Sequence, residues 1–453
     1  MAADPALYRP RNPQATDYYR CVEDHLDHFI QGYEERFERA YGFFRPYLRE
    51  VISQYLDCGN LRNGFARVKC KDCSHEYLLA FSCKRRHFCP SCHQKRVMEF
   101  GEWVCANVLK KVPHRHFVFS IPKILRRYFL YDRRLLHELS CCAWESLKAF
   151  MQDAVPERKP LPGAIIAIQT FGDLLGFNPH CHILITDGCF YGKGMFRVAP
   201  PLELKKLETI FRHKVFRMLI AKGKITEEML TLLAGWRHSG FHVFCGKRIM
   251  PNDKASLERL ACYIIRASFS QERMRYLADE GTVVYTAKAC PGPRSGDGNG
   301  RKIFAAEEWL AAMCSHVPNW GEQMVRYYGW YSNVLRGKRL KKAEDDGVPC
   351  LIESDRAPAA HRKSWAKLIK KIYEVDPLLC PKCKGPMRII SFIEDQEVIR
   401  AILQHLKLWD CRSRPLAKAH APPAMVPAAD ETNDPLPHTP IYGDPQYPWE
   451  AYL

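Results

Sequence analysis

The sequence predicts an α+β chain, with helices around an antiparallel sheet and a helical, cysteine-stapled module ahead of it. Three observations carry that reading. Strand-like apolar runs occur at HFVFSI (His116–Ile121), GAIIAIQTF (Gly163–Phe171), HCHILIT (His180–Thr186) and FHVFCG (Phe241–Gly246), mixed with helical stretches at Arg134–Met151 and Leu202–Lys222. Apolar residues recur at helical spacing through Phe29, Tyr33, Phe37, Tyr41 and Phe44. Between Cys58 and Cys92 that periodicity breaks, and six cysteines take over.

The chain's 453 residues, 47% of them hydrophobic, suffice for two or three domains with cores of their own, which excludes a wholly disordered protein. No apolar run approaches the ~18–20 residues that span a bilayer, so no membrane role is expected. The start, MAADPALYRPRNPQ, lacks the apolar stretch of a secretory signal. A reducing, cytoplasmic setting is therefore expected, where the 20 cysteines serve metal binding or catalysis rather than disulfides. Against 50 Asp+Glu stand 68 Lys+Arg, a net charge of +18 that points to a polyanionic partner, most often nucleic acid.

In chain order, an arm (1–17) leads to a helical and zinc-binding domain (18–110), with helices over Tyr18–Leu56 and from Val97 to about Lys111. A catalytic domain (111–342) follows, interrupted by the glycine-rich CPGPRSGDGNGRK (Cys290–Lys302), read as a loop or insertion. A carboxyl-terminal extension (343–410) carries expected helices at Trp365–Val375 and Glu394–Leu408. The proline-rich remainder (411–453) reads as a disordered tail.

Cys70-x2-Cys73 and Cys89-x2-Cys92, fifteen residues apart, have the spacing of a zinc site. Each turn presents two thiolates on one side, and two such turns complete a tetrahedral shell. Cys58, Cys83, His75, His87 and His93 lie close enough to build a second site or swap a ligand. Around them Arg67, Lys69, Lys71, Lys84, Arg85, Arg86, Lys95 and Arg96 form a basic collar suited to phosphates. A structural finger with merely solvated charges is the plainer alternative. Cys380-x2-Cys383 is half a tetrahedron, to be completed elsewhere in the chain or across a dimer, or else a simple turn.

His180 and His182, two apart on an expected strand, project from one face, with Cys181, Ile183 and Ile185 on the other. Two imidazoles at that spacing can hold one divalent ion, and Gln169 on a neighbouring strand can fold back as a third ligand. Mg2+ or Mn2+ is the usual ion for phosphoryl transfer, with zinc an alternative. The attacking group is expected on a helix across Ser256–Met274. There Leu257, Leu260, Ala261 and Ile264 make an apolar face, and Arg259, Tyr263 and Arg266 the opposite one. Tyr263 can form a covalent phosphotyrosine while the guanidinium groups hold the phosphate. An exposed anchoring tyrosine is the alternative. Tyr327 and Tyr331, on one face if RYYGWYSN were helical, rank second, because Gly329 weakens a helix and the aromatics suit packing or base stacking.

Together these motifs resemble the insertion sequence 91 family of rolling-circle transposases over roughly Tyr18 to Leu408. The likeness runs through the cysteine module, HRHFVFSIPK, QTFGDLLGFNPHCHILITDG, WRHSGFHVF, RLACYIIRASFS, VRYYGWYSN and DPLLCPKCKGPMRIISFI. It implies an HUH-endonuclease-like antiparallel sheet carrying the histidine pair centrally, with the tyrosine helix packed against it. It further implies His180 and His182 as metal ligands, Tyr263 as nucleophile, and a bacterial, nucleoid-associated protein acting on single-stranded DNA ends. Two-tyrosine members carry a second tyrosine four positions upstream, where this chain has Arg259, so the resemblance is to a single-tyrosine variant. The implied reaction leaves a 5′-phosphotyrosine and a free 3′-hydroxyl without ATP, consistent with the lack of a P-loop pattern. An HUH replication initiator or relaxase shares that chemistry, and a zinc-dependent DNA-binding protein without catalysis is the alternative of another class.

Overall fold

The structure, a computed structural model, describes residues 12–85, 87–236, 239–287, 300–341 and 378–409. The expected helix at Trp365–Val375, nearly all of the glycine-rich segment and the proline-rich tail lie outside the described residues, as does Arg86.

The amino-terminal helical stretch is divided into α1 (Asp17–Gln31), α2 (Tyr33–Arg36), α3 (Glu38–Tyr41) and α4 (Tyr47–Leu56). Gly32, Gly42 and Pro46 flank these pieces, punctuation that outweighs the continuous apolar period. Strands β1 (Phe65–Cys70) and β2 (Glu76–Ala80) precede α5 (Pro90–Asn107), which opens with proline in its first turn. Next come β3 (His114–Ser120), α6 (Lys123–Tyr131), α7 (Arg134–Ala154), β4 (Gly163–Phe171) and β5 (Phe177–Thr186). A hairpin of β6 (Gly188–Tyr191) and β7 (Met195–Val198) leads to α8 (Leu204–Ala221), α9 (Glu227–Ala234), β8 (His242–Cys245) and α10 (Lys254–Ile264). The chain continues with β9 (Met274–Leu277), β10 (Thr282–Thr286), β11 (Arg301–Ala305), α11 (Ala306–His316), β12 (Val325–Gly329) and α12 (Asn333–Lys341).

The central sheet has five strands in the order β12-β4-β5-β3-β8, every pair antiparallel. All nine residues of β4 are buried, so its sequence reads as a continuous apolar run rather than an alternation. Helices cover both faces. On one, Cys181, Ile183 and Ile185 pack with Leu139, Ala143 and Leu147 of α7 and with Phe211 and Val215 of α8. On the other, Ile165, Ala167 and Leu184 meet Phe100 and Val104 of α5 and Leu257, Ala261 and Ile264 of α10.

The helices α1 and α4 do not form a separate body with the cysteine module. Tyr18, Phe29 and Tyr55 share one core with Tyr285, Phe304 and Trp309 of the β11-β10-β9 sheet and α11. The third sheet is formed at long range: β13 (Met387–Ile393) from the carboxyl-terminal extension pairs antiparallel with β1 in the order β13-β1-β2. The extension thus folds onto the amino-terminal module.

Two buried histidines outside the candidate site make stability acid-sensitive. Burial lowers His114 to about 4, and its Nε2 lies 2.8 Å from the Tyr331 hydroxyl. Burial also lowers His316 to about 4, its Nε2 donating to the Leu175 carbonyl at 3.0 Å. Both folded values lie below the unfolded value of about 6.5, so between those limits the unfolded chain binds more protons. Their stabilisation is complete above pH ~6.5 and is lost as pH falls towards 4. Thermal unfolding should show Tm falling from pH 7 to pH 5, more gently in His114→Gln than in the parent. Identical slopes would remove His114 from the account.

Candidate active site and zinc centres

The β4–β5 register sets Gln169 opposite His180, and β3 runs along the other side of β5. Strand pleating sends His180, His182 and Gln169 to the face covered by α10. His180 Nδ1 donates to the Asn178 carbonyl at 2.7 Å, which leaves its Nε2 as a lone pair. That Nε2 lies 3.1 Å from His182 Nε2. Two nitrogens bound at ~2.1 Å to one ion are separated by roughly 3.0–3.4 Å, so the pair has the spacing of two ligands. Burial, with the adjacent imidazoles and Arg266, drives His182 down to about 2, and burial takes His180 to about 4. Both are therefore neutral at pH 7, as metal ligands must be.

The Gln169 amide spans two tasks. Its Nε2 donates to the carbonyls of Ile264 (2.8 Å) and Tyr263 (3.4 Å), capping the end of α10, while its Oε1 is buried without a partner. An amide oxygen with no hydrogen bond, at the strand position opposite His180, could serve as a third donor to a divalent cation.

α10 begins at Asp253, whose carboxylate accepts from Ser256 N–H at 3.0 Å. Its close seat on α5 needs Gly101, since a Cβ there would stand 2.5 Å from Cys262 Sγ. Tyr263, near the carboxyl end, is 45% exposed, with its ring edge-on to His182 (centroids 5.4 Å) and His116 (6.1 Å). The expected long helix ends at Ile264, so Arg266 is not on the polar face of a helix. It follows the terminus and lies over the Tyr263 ring at 5.2 Å and over Phe171 at 5.5 Å, its Nε buried without a partner. Arg259 is exposed one turn back and donates to Ser256 Oγ at 2.8 Å.

The rival tyrosines have other surroundings. RYYGWYSN is not a helix: Tyr327 lies on the edge strand β12 beside Trp103, with Arg336 over its ring at 5.6 Å. Tyr331 is fully buried, its hydroxyl accepting from Lys110 N–H at 3.2 Å and touching His114. A residue not singled out from the sequence joins the site. His116 Nε2 lies 2.9 Å from His182 Nδ1, and burial lowers it to about 4. A signal was present, because His114-x-His116 repeats the alternation of His180-x-His182 on a strand. Exposed Phe244 flanks His116 at 6.1 Å.

The cysteines are grouped differently from the expected single shell of Cys70, Cys73, Cys89 and Cys92. One quartet is Cys58, Cys83, Cys89 and Cys92, and the other is Cys70, Cys73, Cys380 and Cys383, each with its sulfurs within 4.8 Å of one another. Pairing of β1 with β13 explains the regrouping, since it carries Cys380–Cys383 to the end of β1, where Cys70 stands. Sulfur separations within the quartets include 3.7 Å (Cys58–Cys89), 3.6 Å (Cys83–Cys92), 3.4 Å (Cys70–Cys383) and 3.5 Å (Cys73–Cys380). Disulfides are excluded at these lengths, whereas sulfurs at ~2.3 Å from a tetrahedral zinc lie about 3.8 Å apart. Backbone N–H groups of Asp72 and Arg85 point at Cys70 Sγ (3.4 Å) and Cys83 Sγ (3.5 Å), as at thiolates. Gly385 permits the two outer turns to meet, for a Cβ there would lie 1.9 Å from Asp72 Oδ2.

Among the described residues, His75, His87 and His93 belong to neither quartet. His93 instead accepts from His87 N–H (3.2 Å) and donates to the Ile265 carbonyl (2.8 Å), joining the inner quartet to the end of the tyrosine helix. The basic collar is partly neutralised: Arg67 pairs with Glu76, Arg85 with Glu50 (2.8 Å) and Lys95 with Glu99 (3.8 Å), while Arg96 lies over Phe100. Lys71 and Lys84 are exposed.

The structure thus sets a histidine pair on an antiparallel sheet against a tyrosine, with a thiolate-rich module joined to that sheet. Two family profiles match this chain: a putative transposase over residues 163–339 and a transposase zinc-binding domain over residues 26–121. The transposase for insertion sequence element IS801 of Pseudomonas savastanoi pv. phaseolicola is 23% identical over 356 residues, 75% of this chain and 82% of that protein. A putative transposase, y4qJ, of Sinorhizobium fredii is 24% identical over 389 residues, 81% of this chain and 94% of that protein. No solved structure matches the chain significantly. The chain belongs to the insertion sequence 91 family of transposases, with an amino-terminal zinc-binding domain. Its partner is accordingly DNA, and its cysteine clusters support structural zinc. Among the described residues no helix is long and apolar enough to cross a membrane.

Proposed function

We propose that this transposase nicks single-stranded DNA at element ends by tyrosine attack, as HUH enzymes do, to drive rolling-circle transposition. The observation that carries the reading is the exposed Tyr263 standing edge-on to a buried, neutral His180–His182 pair. His180 Nε2, His182 Nε2 and Gln169 Oε1 would hold one Mg2+ or Mn2+. Bound there, the ion would polarise the non-bridging oxygens of the scissile phosphate. His116 acts as a positioning residue. By accepting from His182 Nδ1–H it fixes the tautomer that turns Nε2 towards the ion. Arg266 brings a guanidinium to the phosphate beside Tyr263.

The Tyr263 oxygen attacks phosphorus in line. Its bond to phosphorus forms, the bond to the 3′ oxygen breaks, and that oxygen leaves as a hydroxyl after protonation. The 5′-phosphotyrosine stores the bond energy for the joining step, so ATP is not required. Phe244, exposed with its ring 6.1 Å from His116, offers a stacking surface for an unpaired base near Tyr263, which supports a single-stranded substrate. The two quartets hold one structural Zn2+ each.

The test is a labelled single-stranded oligonucleotide carrying the element end, incubated with Mn2+. The double variant His180→Ala/His182→Ala should keep its zinc and lose nicking by 100-fold or more, on the order expected for removal of a catalytic ion. Cutting at the parental rate would refute the metal assignment.

A further inference from the structure

We propose a second DNA contact, on the face of the central sheet away from the histidines, that takes one phosphate and one unpaired base of a single strand. A cavity of about 630 Å3 opens there at the first turn of α7. Ile168 of β4 lines it, while the next residue, Gln169, faces the histidines, so cavity and histidine pair share one end of the sheet on opposite faces. DNA passing round that end would reach both.

The cavity is built for an anion. Arg133 is only 6% exposed at its side chain. Its Nε pairs with Glu322 at 2.9 Å and its Nη1 donates to the Ser315 carbonyl at 2.9 Å, while Nη2 is buried without a partner. Arg326, on the edge strand β12, likewise has a buried, unpartnered Nε. Five lysines and arginines (Arg133, Arg134, Lys222, Lys224 and Arg326) line the space against three acids (Asp132, Glu138 and Glu322). The acids pair with Arg134, Lys224, Lys222 and Arg133, with Glu322 Oε1 left buried and unpartnered; the lining stays positive by two charges, and Arg326 has no acid of its own there. An orphaned buried guanidinium donor costs stability unless an acceptor arrives, and a phosphate oxygen supplies one.

At the same cavity Trp320 is 83% exposed, in a turn where Asn319 N–H donates to Glu322 Oε2 at 2.6 Å. An indole held in water beside an anion site is the arrangement that stacks a base while its phosphate is bound. Stacking requires an unpaired base, hence a single strand. This inference uses the chain's DNA partner and is independent of the nucleophile.

Anisotropy titrations of a labelled single-stranded oligonucleotide with the zinc-loaded full chain test it. Trp320→Ala, at an exposed side chain, and Arg326→Glu, at a half-buried one, should each weaken binding on the order of 10-fold. Arg326→Glu should also lower the salt dependence of log K by about one. Affinity for the same sequence as a duplex should change less than twofold in Trp320→Ala. Both variants should still form the Tyr263 adduct at saturating DNA, which separates this contact from the nicking site. Single-strand affinities within twofold of the parent, or equal losses on duplex, would overturn the proposal.

Discussion

Tyr263→Phe should abolish the covalent protein–DNA adduct while leaving zinc content and Tm unchanged. The hydroxyl sits on an exposed ring, so its removal creates no cavity and strands no buried partner. A nucleophile cannot be replaced by its neighbours when those neighbours are turned elsewhere. Tyr331 is buried against His114 and Lys110, and Tyr327 packs on Trp103 at the sheet edge. Tyr331→Phe is the informative contrast: it removes a buried hydroxyl, should cost about 1–3 kcal/mol of stability, and should leave adduct formation intact. Denaturing gels of protein with labelled single strand read the first result, and thermal unfolding reads the second. An adduct surviving in Tyr263→Phe but lost in Tyr327→Phe would transfer the chemistry to the edge strand.

What was legible in the sequence follows from the range of each signal. The β4 and β5 strands and α7 were readable because their apolar patterns are local and strong, and His180 and His182 followed from the strand period alone. α10 is shorter than its pattern predicts: Leu257, Ala261 and Ile264 obey the helical period, but the chain leaves the helix after Ile264, where the side chains of Gln169 and His93 satisfy terminal carbonyls. Neither partner is near in sequence. The grouping of cysteines failed for the same reason. Spacing identifies turns that present two thiolates, but which turns meet is decided by β1 pairing with β13 across more than three hundred residues. His116 was hidden because its task is set by a cross-strand neighbour, His182, on β5.

That regrouping has a consequence large enough to measure. Cys380→Ser/Cys383→Ser should reduce zinc from two ions per chain to one and make residues 378–409 sensitive to protease. The two quartets differ in setting. Cys58, Cys89 and Cys92 are buried in the core shared with Tyr18, Tyr55 and Phe88, so their metal is enclosed by packed aromatics. In the other quartet Cys73 and Cys383 are exposed, and its metal would bridge elements also joined by the β1–β13 pair, a small cluster around Val68 and Met387, and a second one in which Ile399 and Leu403 pack on Phe65. These contacts are small and near the surface, so an ion tying the Cys380–Cys383 turn to Cys70 and Cys73 adds to them, and its loss loosens that end of the extension. A chelator titration of the parent should therefore release zinc in two phases, the exposed quartet first, with protease sensitivity of the extension following the first phase. Cys89→Ser/Cys92→Ser should instead lower Tm of the whole amino-terminal core, because removing that ion leaves polar serines among aromatics. Zinc measured by elemental analysis at two per chain in the Cys380→Ser/Cys383→Ser variant would show that the outer thiolates hold no metal. The extension would then be tethered by β-pairing and apolar packing alone.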